Sequence, residues 1–385
     1  MAMWLEPDPS QLRDPHGYSL KWHFYPPDVL PLWVADMDFP IAEPIAEAVR
    51  ERLGQPVGYP PASGDRALLE RIVEHQAGHG LLGLNPENLL LTSSVVPGIY
   101  ASVLALTSPG DEVITQVPVY PPFLNALEEH HRLARFSPLE PTPQGWAIDF
   151  DHLERLVTPR TRLLLLCNPQ NPTGRVFRRE ELEALAEFAL RHRLWVMSDE
   201  LWADLVFEGR HIPIASLDRE IAMRTVTLSG PCKTYNTAGL GGGVAISHNR
   251  QLLSALARVL KGLGGHPNVL AMAAWRAALE RAQGWLEEVR SYLRGNRDYL
   301  TAFLRSRLPQ VGYLPPEGTY LAWLDFRALL GEGAHAAMLE RARLGLSDGR
   351  AFGGYAGWLR LNFATGRPLL KEALERMERL VAALR

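Results

Sequence analysis

Three short stretches carry side chains that could do chemistry. Asn168-Pro-Gln-Asn171-Pro-Thr-Gly174 presents amides on a tight turn, Asp199-Glu200 presents carboxylates, and Gly230-Pro-Cys232-Lys233 presents an amine. Each follows a short apolar run that reads as a β-strand, at 162–167, 194–198 and 225–229. Alone, an Asn-Pro or Asp-Glu dipeptide is turn punctuation. An amide, a carboxylate and an amine behind three consecutive strands form a set that can orient a polar ligand and offer it a nucleophilic or basic nitrogen.

The elements that must position these groups lie between residues 89 and 247. Apolar runs at 89–92, 112–116, 135–138, 162–167, 194–198, 225–229 and 243–247 alternate with amphipathic stretches, among them 96–107, 122–131 and 179–193. That alternation predicts an α/β fold with a mostly parallel sheet covered on both faces. Binding sites in such sheets lie beyond the carboxyl ends of the strands, where the three stretches fall. The C-terminal part reads differently, with a long helix at 285–307, strands at 319–325 and 358–364, and a helix at 368–384. We expect a large domain over 42–280 and a smaller α+β domain built from 1–41 together with 281–385. The proline-rich stretches at 26–40 and 315–316 are expected to connect the two.

Composition narrows the function. The chain has 385 residues, 40 Lys plus Arg against 43 Asp plus Glu, and two cysteines. At this length a core buries enough apolar surface to need no staple, and two cysteines make no disulfide framework. A net charge of -3 offers no positive field for nucleic acid or an anionic membrane. The N-terminus has prolines and acids where a signal peptide has a basic end and an apolar run, so a cytoplasmic, reducing location is expected. The uncharged stretch 89–110 is long enough to raise the question of a membrane span. Ser93, Ser94, Pro97, Thr107, Ser108 and Pro109 inside it point instead to a strand, a turn and a helix. The histidines are scattered, His130-His131 reads as a solvated helix end, and no metal is expected.

The order NPxNPTG, Asp after a strand, then Lys resembles the fold type I, pyridoxal-phosphate-dependent aminotransferase superfamily over nearly the whole chain. Further stretches resemble the bacterial C-S lyases of the cystathionine beta-lyase type within it. These are SLKW at 19–22, PLWVADMDF at 31–39, Gly58-Tyr59, SVVPGIY at 94–100, PVYPPF at 118–123 and CKTYNTAGL at 232–240. The resemblance implies pyridoxal 5'-phosphate as cofactor, bound by the large domain, with Lys233 as the Schiff-base lysine and the base over the alpha carbon. It implies Asp199 at the pyridinium nitrogen, Asn171 at the phenolic oxygen and near substrate, and Tyr120 stacked on the ring and available for acid-base work. Val95 and Val96 N–H groups, Ser229, and Tyr59 reaching across a homodimer interface would serve the phosphate. Arg360 of RLNFA would take the substrate carboxylate, with Asp36 also on the substrate side.

Three positions depart from the pattern, one of them Ser94, where the family usually has Gly. Trp202 stands where the lyases have His and the broader superfamily Tyr, and indole can donate but not accept a hydrogen bond. Gly241 stands where classical aminotransferases often place a phosphate-binding Arg. The expected activity is cleavage of cystathionine or related cysteine S-conjugates to a thiol, pyruvate and ammonia. An aminotransferase of a small or aromatic amino acid is the alternative, and a ligand-responsive regulatory protein with vestigial catalysis is the reading from another class. Cys167 and Cys232 are expected to be reduced, buried and not nucleophilic.

Overall fold

The structure is a computed structural model that describes residues 3–14, 17, 19–61, 64–262, 264 and 268–384. Its central sheet has eight strands: β1 (Leu89–Thr92), β2 (Glu112–Val117), β3 (Leu133–Thr142), β4 (Gly145–Ile148), β5 (Thr161–Cys167), β6 (Trp195–Asp199), β7 (Thr225–Ser229) and β8 (Gly243–Ile246). Their spatial order is β1-β8-β7-β6-β5-β2-β3-β4. From β7 across to β3 every pairing is parallel. Strand β8 is antiparallel to both neighbours and β4 is antiparallel to β3.

Strand β5, TRLLLLC, shows why the sheet is covered twice. Alternate side chains of a strand point to opposite faces. Leu163, Leu165 and Cys167 join a core with helices Val95–Leu106, Pro121–Glu129 and Arg250–Leu260, while Leu164 and Leu166 join another with helix Arg179–Arg191. A strand buried on both sides must be apolar throughout, which is why the run is continuous rather than alternating. The uncharged stretch 89–110 resolves into β1 and the helix Val95–Leu106, most of whose residues are buried.

A second, four-stranded antiparallel sheet holds β9 (Gly312–Tyr313), β10 (Leu321–Asp325), β11 (Ser347–Asp348) and β12 (Trp358–Asn362) in the order β9-β10-β12-β11. Its core is shared with the long helix Gln283–Arg307, the last helix Arg367–Ala382 and N-terminal residues including Trp22, Leu30, Leu32 and Phe39. The two proline-rich stretches differ from expectation. Pro315-Pro316 lies between β9 and β10, inside this sheet, and Pro316 packs on Gly174. The 26–40 stretch is no loose connection either: Leu30–Pro31 pairs in parallel with Leu344–Gly345, and most of its apolar residues are buried. Both fit the rule that proline suits sheet edges and irregular backbone.

Candidate active site

Because β1, β2, β5, β6 and β7 share a direction, their carboxyl ends gather the residues that follow them. These residues line one cavity of about 220 Å³. Val95 and Val96 come from the end of β1, Tyr120 from β2, Asn171 from β5, and Asp199 with Trp202 from β6. Lys233 comes from beyond β7, and Arg360 closes the cavity from β12 of the smaller sheet. Eight of the eleven candidates read from sequence therefore meet. Asp36 stands at the margin with Oδ1 3.9 Å from Lys233 Nζ. Ser229 is buried at the end of β7 without lining the cavity, and Tyr59 is 93 % exposed on the surface.

Lys233 Nζ donates to Ala35 O at 2.7 Å, and Tyr320 Oη donates to the same carbonyl at 2.8 Å. The segment carrying Ala35 is held by four motifs that sequence reading treated as separate. Asn236 Nδ2 donates to Met37 O and Phe39 O, and its Oδ1 accepts from Met37 N at 3.0 Å. Asn362 Nδ2 donates to Val34 O and Asp36 O, both at 2.7 Å. Lys21 Nζ pairs with Asp38 Oδ2 at 2.8 Å in the buried interior, and Trp22 Nε1 donates to Asp38 Oδ1 at 2.7 Å. SLKW, ADMDF, YNTAGL and RLNFA are thus one framework aimed at Lys233.

Arg360 is a buried guanidinium with no carboxylate partner among the described residues. Nη1 donates to Asn171 Oδ1 at 3.0 Å and Nη2 to Trp33 O at 3.0 Å and Ser347 Oγ at 3.2 Å, while Nε has no partner. Burial pulls its pKa down to about 10, with Tyr120 and Tyr320 pulling back up. An unpaired buried cation is costly, and a ligand carboxylate on Nε and an Nη would relieve it. Leu359 and Leu361 are buried with it, so a surface-arginine reading is excluded.

Asp199 poses the converse problem. Its carboxyl accepts Leu201 N–H at 3.1 Å and is otherwise desolvated, so burial pushes its pKa up to about 7 against the help of Leu201. A cationic ligand nitrogen beside it would restore ionisation. At the other end, Ser94 caps the helix Val95–Leu106 with no side-chain hydrogen bond, which leaves first-turn N–H groups for an anion. The glycine turn closes on this end: a Cβ on Gly241, at φ +79°, would lie 2.7 Å from Ser93 O, and one on Gly243 2.7 Å from the Ser94 carbonyl carbon. The cavity therefore matches a ligand that is anionic at one end, flat and cationic in the middle, and carboxylate-bearing beyond.

Trp202 packs edge-on against Tyr320, ring centroids 4.7 Å apart, and Lys233 Nζ lies 6.0 Å from its ring. It forms part of the apolar wall of the cavity and belongs to the core of the smaller sheet. Burial pushes the Tyr120 hydroxyl up, with Arg360 opposing, so it stays protonated at neutral pH. Both cysteines are free thiols; Cys167 is buried as expected, but Cys232 is only half-buried because it lines the cavity. Burial raises the pKa of each, which opposes thiolate formation.

An alternating α/β sheet with these groups at its carboxyl edge defines a cofactor-dependent enzyme of amino acids. The family model for aminotransferase class I and II matches residues 27–377, and the chain belongs to that family. It is 37 % identical to cystathionine beta-lyase PatB of Bacillus subtilis over 373 residues, covering 94 % of this chain and 96 % of that one. The crystal structure of OvoB superposes with a TM-score of 0.91 at 40 % identity, covering 96 % of this chain and 97 % of that one. Cystalysin from Treponema denticola, whose structure contains pyridoxal 5'-phosphate, superposes with a TM-score of 0.92 at 29 % identity, covering 97 % and 98 %.

Proposed function

We infer that the protein is a pyridoxal 5'-phosphate-dependent carbon-sulfur beta-lyase. Its substrates are cystathionine or related cysteine S-conjugates, split with one water into a thiol, pyruvate and ammonia. The observation that carries this reading is the framework around Ala35: the stretch with the lyase resemblance, 31–39, supplies the carbonyl that holds Lys233 Nζ at 2.7 Å.

When bound, the cofactor supplies an electron sink for the bond broken at the substrate alpha carbon. Val95 and Val96 N–H groups, with Ser229 nearby, would hold its phosphate, Asp199 its ring nitrogen, Asn171 its phenolic oxygen and Tyr120 its face. Arg360 fixes the substrate carboxylate, which sets the direction in which the alpha proton points. Lys233 Nζ takes that proton. Tyr120, kept protonated by its burial, would give a proton to the departing sulfur. Asp36, with Oδ1 3.9 Å from Lys233 Nζ, would stand on the substrate side of that amine.

The same reading divides the chain into a cofactor domain over 42–280 and a smaller domain from 1–41 and 281–385. It also makes the enzyme a cytoplasmic homodimer whose sites are completed by Tyr59 of the partner subunit. Leu53 and Val57, each 57 % exposed, support an interface along that segment. No described helix is long and apolar enough to cross a membrane. The deciding experiment follows pyruvate and free thiol from L-cystathionine with purified enzyme. Equal release of both is expected; a keto acid that retains the sulfur, with no thiol, would instead mark a transaminase.

A further inference from the structure

Past the carboxyl end of β6, where the chain runs on from Asp199 to Asp204, a second cluster of ligating side chains is assembled. His75 lies in the last turn of the helix Arg66–Gly78 and His79 is its C-cap residue, so the two are one helical turn apart on one face. Their Nε2 atoms lie 2.9 and 3.0 Å from the same oxygen, Oδ1 of Asp204. The three donor atoms all fall within 4.8 Å of one another. Thr234 Oγ1 donates to the other carboxylate oxygen, Oδ2, at 2.9 Å and fixes its orientation.

We propose that His75, His79 and Asp204 bind a divalent ion of the zinc class. Two imidazoles and one carboxylate are a donor set for zinc, cobalt(II) or nickel(II) rather than for calcium or magnesium, which prefer oxygen alone. Tetrahedral ligands at ordinary zinc bond lengths stand about 3.3 Å apart. The two N···O edges therefore open by only a few tenths of an ångström, and the edge between the two histidine nitrogens, within 4.8 Å, adjusts toward the same length to admit the ion. The proton on each Nε2 moves to Nδ1 by exchange with water, so both imidazoles ligate in the neutral form. The electronegative C-terminal end of the helix favours a cation at this place.

Three protein ligands leave a fourth position, which opens to a cavity of about 360 Å³. His211 lines that cavity, 5.6 Å from the His79 ring, with Nε2 held by Glu200 at 2.8 Å and a buried Nδ1 that has no partner. A water on the ion is a donor of the kind this unpartnered nitrogen lacks. Arg210 and Arg290 at the rim suit an anion as the alternative fourth ligand. The ion would tie the helix to both loops of the active site, since Thr234 adjoins Lys233 and Asp204 follows Asp199 by five residues. These are positioning roles; none of the three ligands lines the cofactor cavity.

The test uses cofactor-loaded enzyme dialysed against a chelator and titrated with zinc chloride in a calorimeter, and with cobalt(II) chloride followed by visible absorption. The expected result is one ion per chain, a d–d band of four-coordinate cobalt, and more than tenfold weaker binding in His79→Gln and in Asp204→Asn. A double His130→Gln, His131→Gln variant is expected to bind as the unaltered enzyme does. Absence of saturable binding, or binding retained in both ligand variants, overturns the proposal. Should those variants fail to fold, anomalous diffraction from zinc-soaked crystals of the unaltered enzyme decides: a peak between the three side chains supports the site, and a peak elsewhere or none overturns it.

Discussion

Asp199 and Arg360 are charged groups of opposite sign that the fold buries without the partner each needs, and both deficits are filled by ligand. For Asp199 the consequence is a pH dependence of stability. With a folded pKa of about 7 against an ordinary 3.8, the folded chain without cofactor keeps a proton that the unfolded chain has lost. Between these values the folded state binds more protons, so stability falls as pH rises, by about 4 kcal/mol in all. Below pH 4 both states are protonated and the penalty vanishes. Denaturation midpoints of the cofactor-free enzyme across pH 4 to 7 are expected to fall more steeply for the unaltered chain than for Asp199→Asn, and cofactor loading should flatten the unaltered curve. Parallel curves for both cofactor-free proteins would remove Asp199 from its assigned role. For Arg360, replacement by Lys loses the planar pair to a carboxylate and the bond to Asn171. About 1.5 to 3 kcal/mol of substrate binding should go, raising KM about 10- to 150-fold with the cofactor spectrum little changed. Both residues were legible in the sequence through their company rather than alone: Asp199 ends a strand between the Asn171 and Lys233 stretches, and Arg360 sits between two apolar residues in RLNFA. Asn362 was not: it lies in the same RLNFA stretch, and nothing local says that its amide grips Val34 and Asp36 from across the fold.

At the scale of elements, the segment 34–39 has no regular secondary structure, and side chains from distant stretches supply the hydrogen bonds that a sheet would otherwise give. The buried pair Lys21–Asp38 anchors it. Removing one member of such a pair leaves a charge without a counterion, which costs about 3 to 5 kcal/mol. Lys21→Met is therefore expected to lower the urea midpoint substantially. Displacing Ala35 O should also loosen Lys233, so the cofactor absorption of this variant should shift or weaken even where the protein remains folded. A midpoint within error of the unaltered enzyme would contradict the structural reading of SLKW. The strands of the parallel sheet were legible because burial on both faces leaves continuous apolar runs such as LLLLC. The 315–316 and 26–40 stretches were misread as connections because proline marks irregular backbone without saying whether that backbone is buried. The cluster of His75, His79 and Asp204 was missed for a related reason: its third member lies 125 residues from the second, and two histidines four apart on a helix are common as surface residues.

At the scale of the molecule, the number of chains that make one active site is decided by where Tyr59 acts. The cavity is closed on one side by β12 and the 31–39 segment of the same chain, while Leu53, Val57 and Tyr59 are exposed and do not line it. If Tyr59 serves the phosphate of its partner, each site combines Lys233 from one subunit with Tyr59 from the other. Lys233→Ala should be inactive because its base is gone, and Tyr59→Ala should bind cofactor more weakly because a hydroxyl donor to a charged phosphate is lost. Mixing the two after mild dissociation gives hybrid dimers in which one site has both defects and the other has neither. Activity in the mixture is then expected to rise above that of either variant alone, with the recovered sites showing the cofactor affinity of the unaltered enzyme. A mixture whose activity is the average of the two parents, measured after subunit exchange has been verified by mass, would place Tyr59 outside the site.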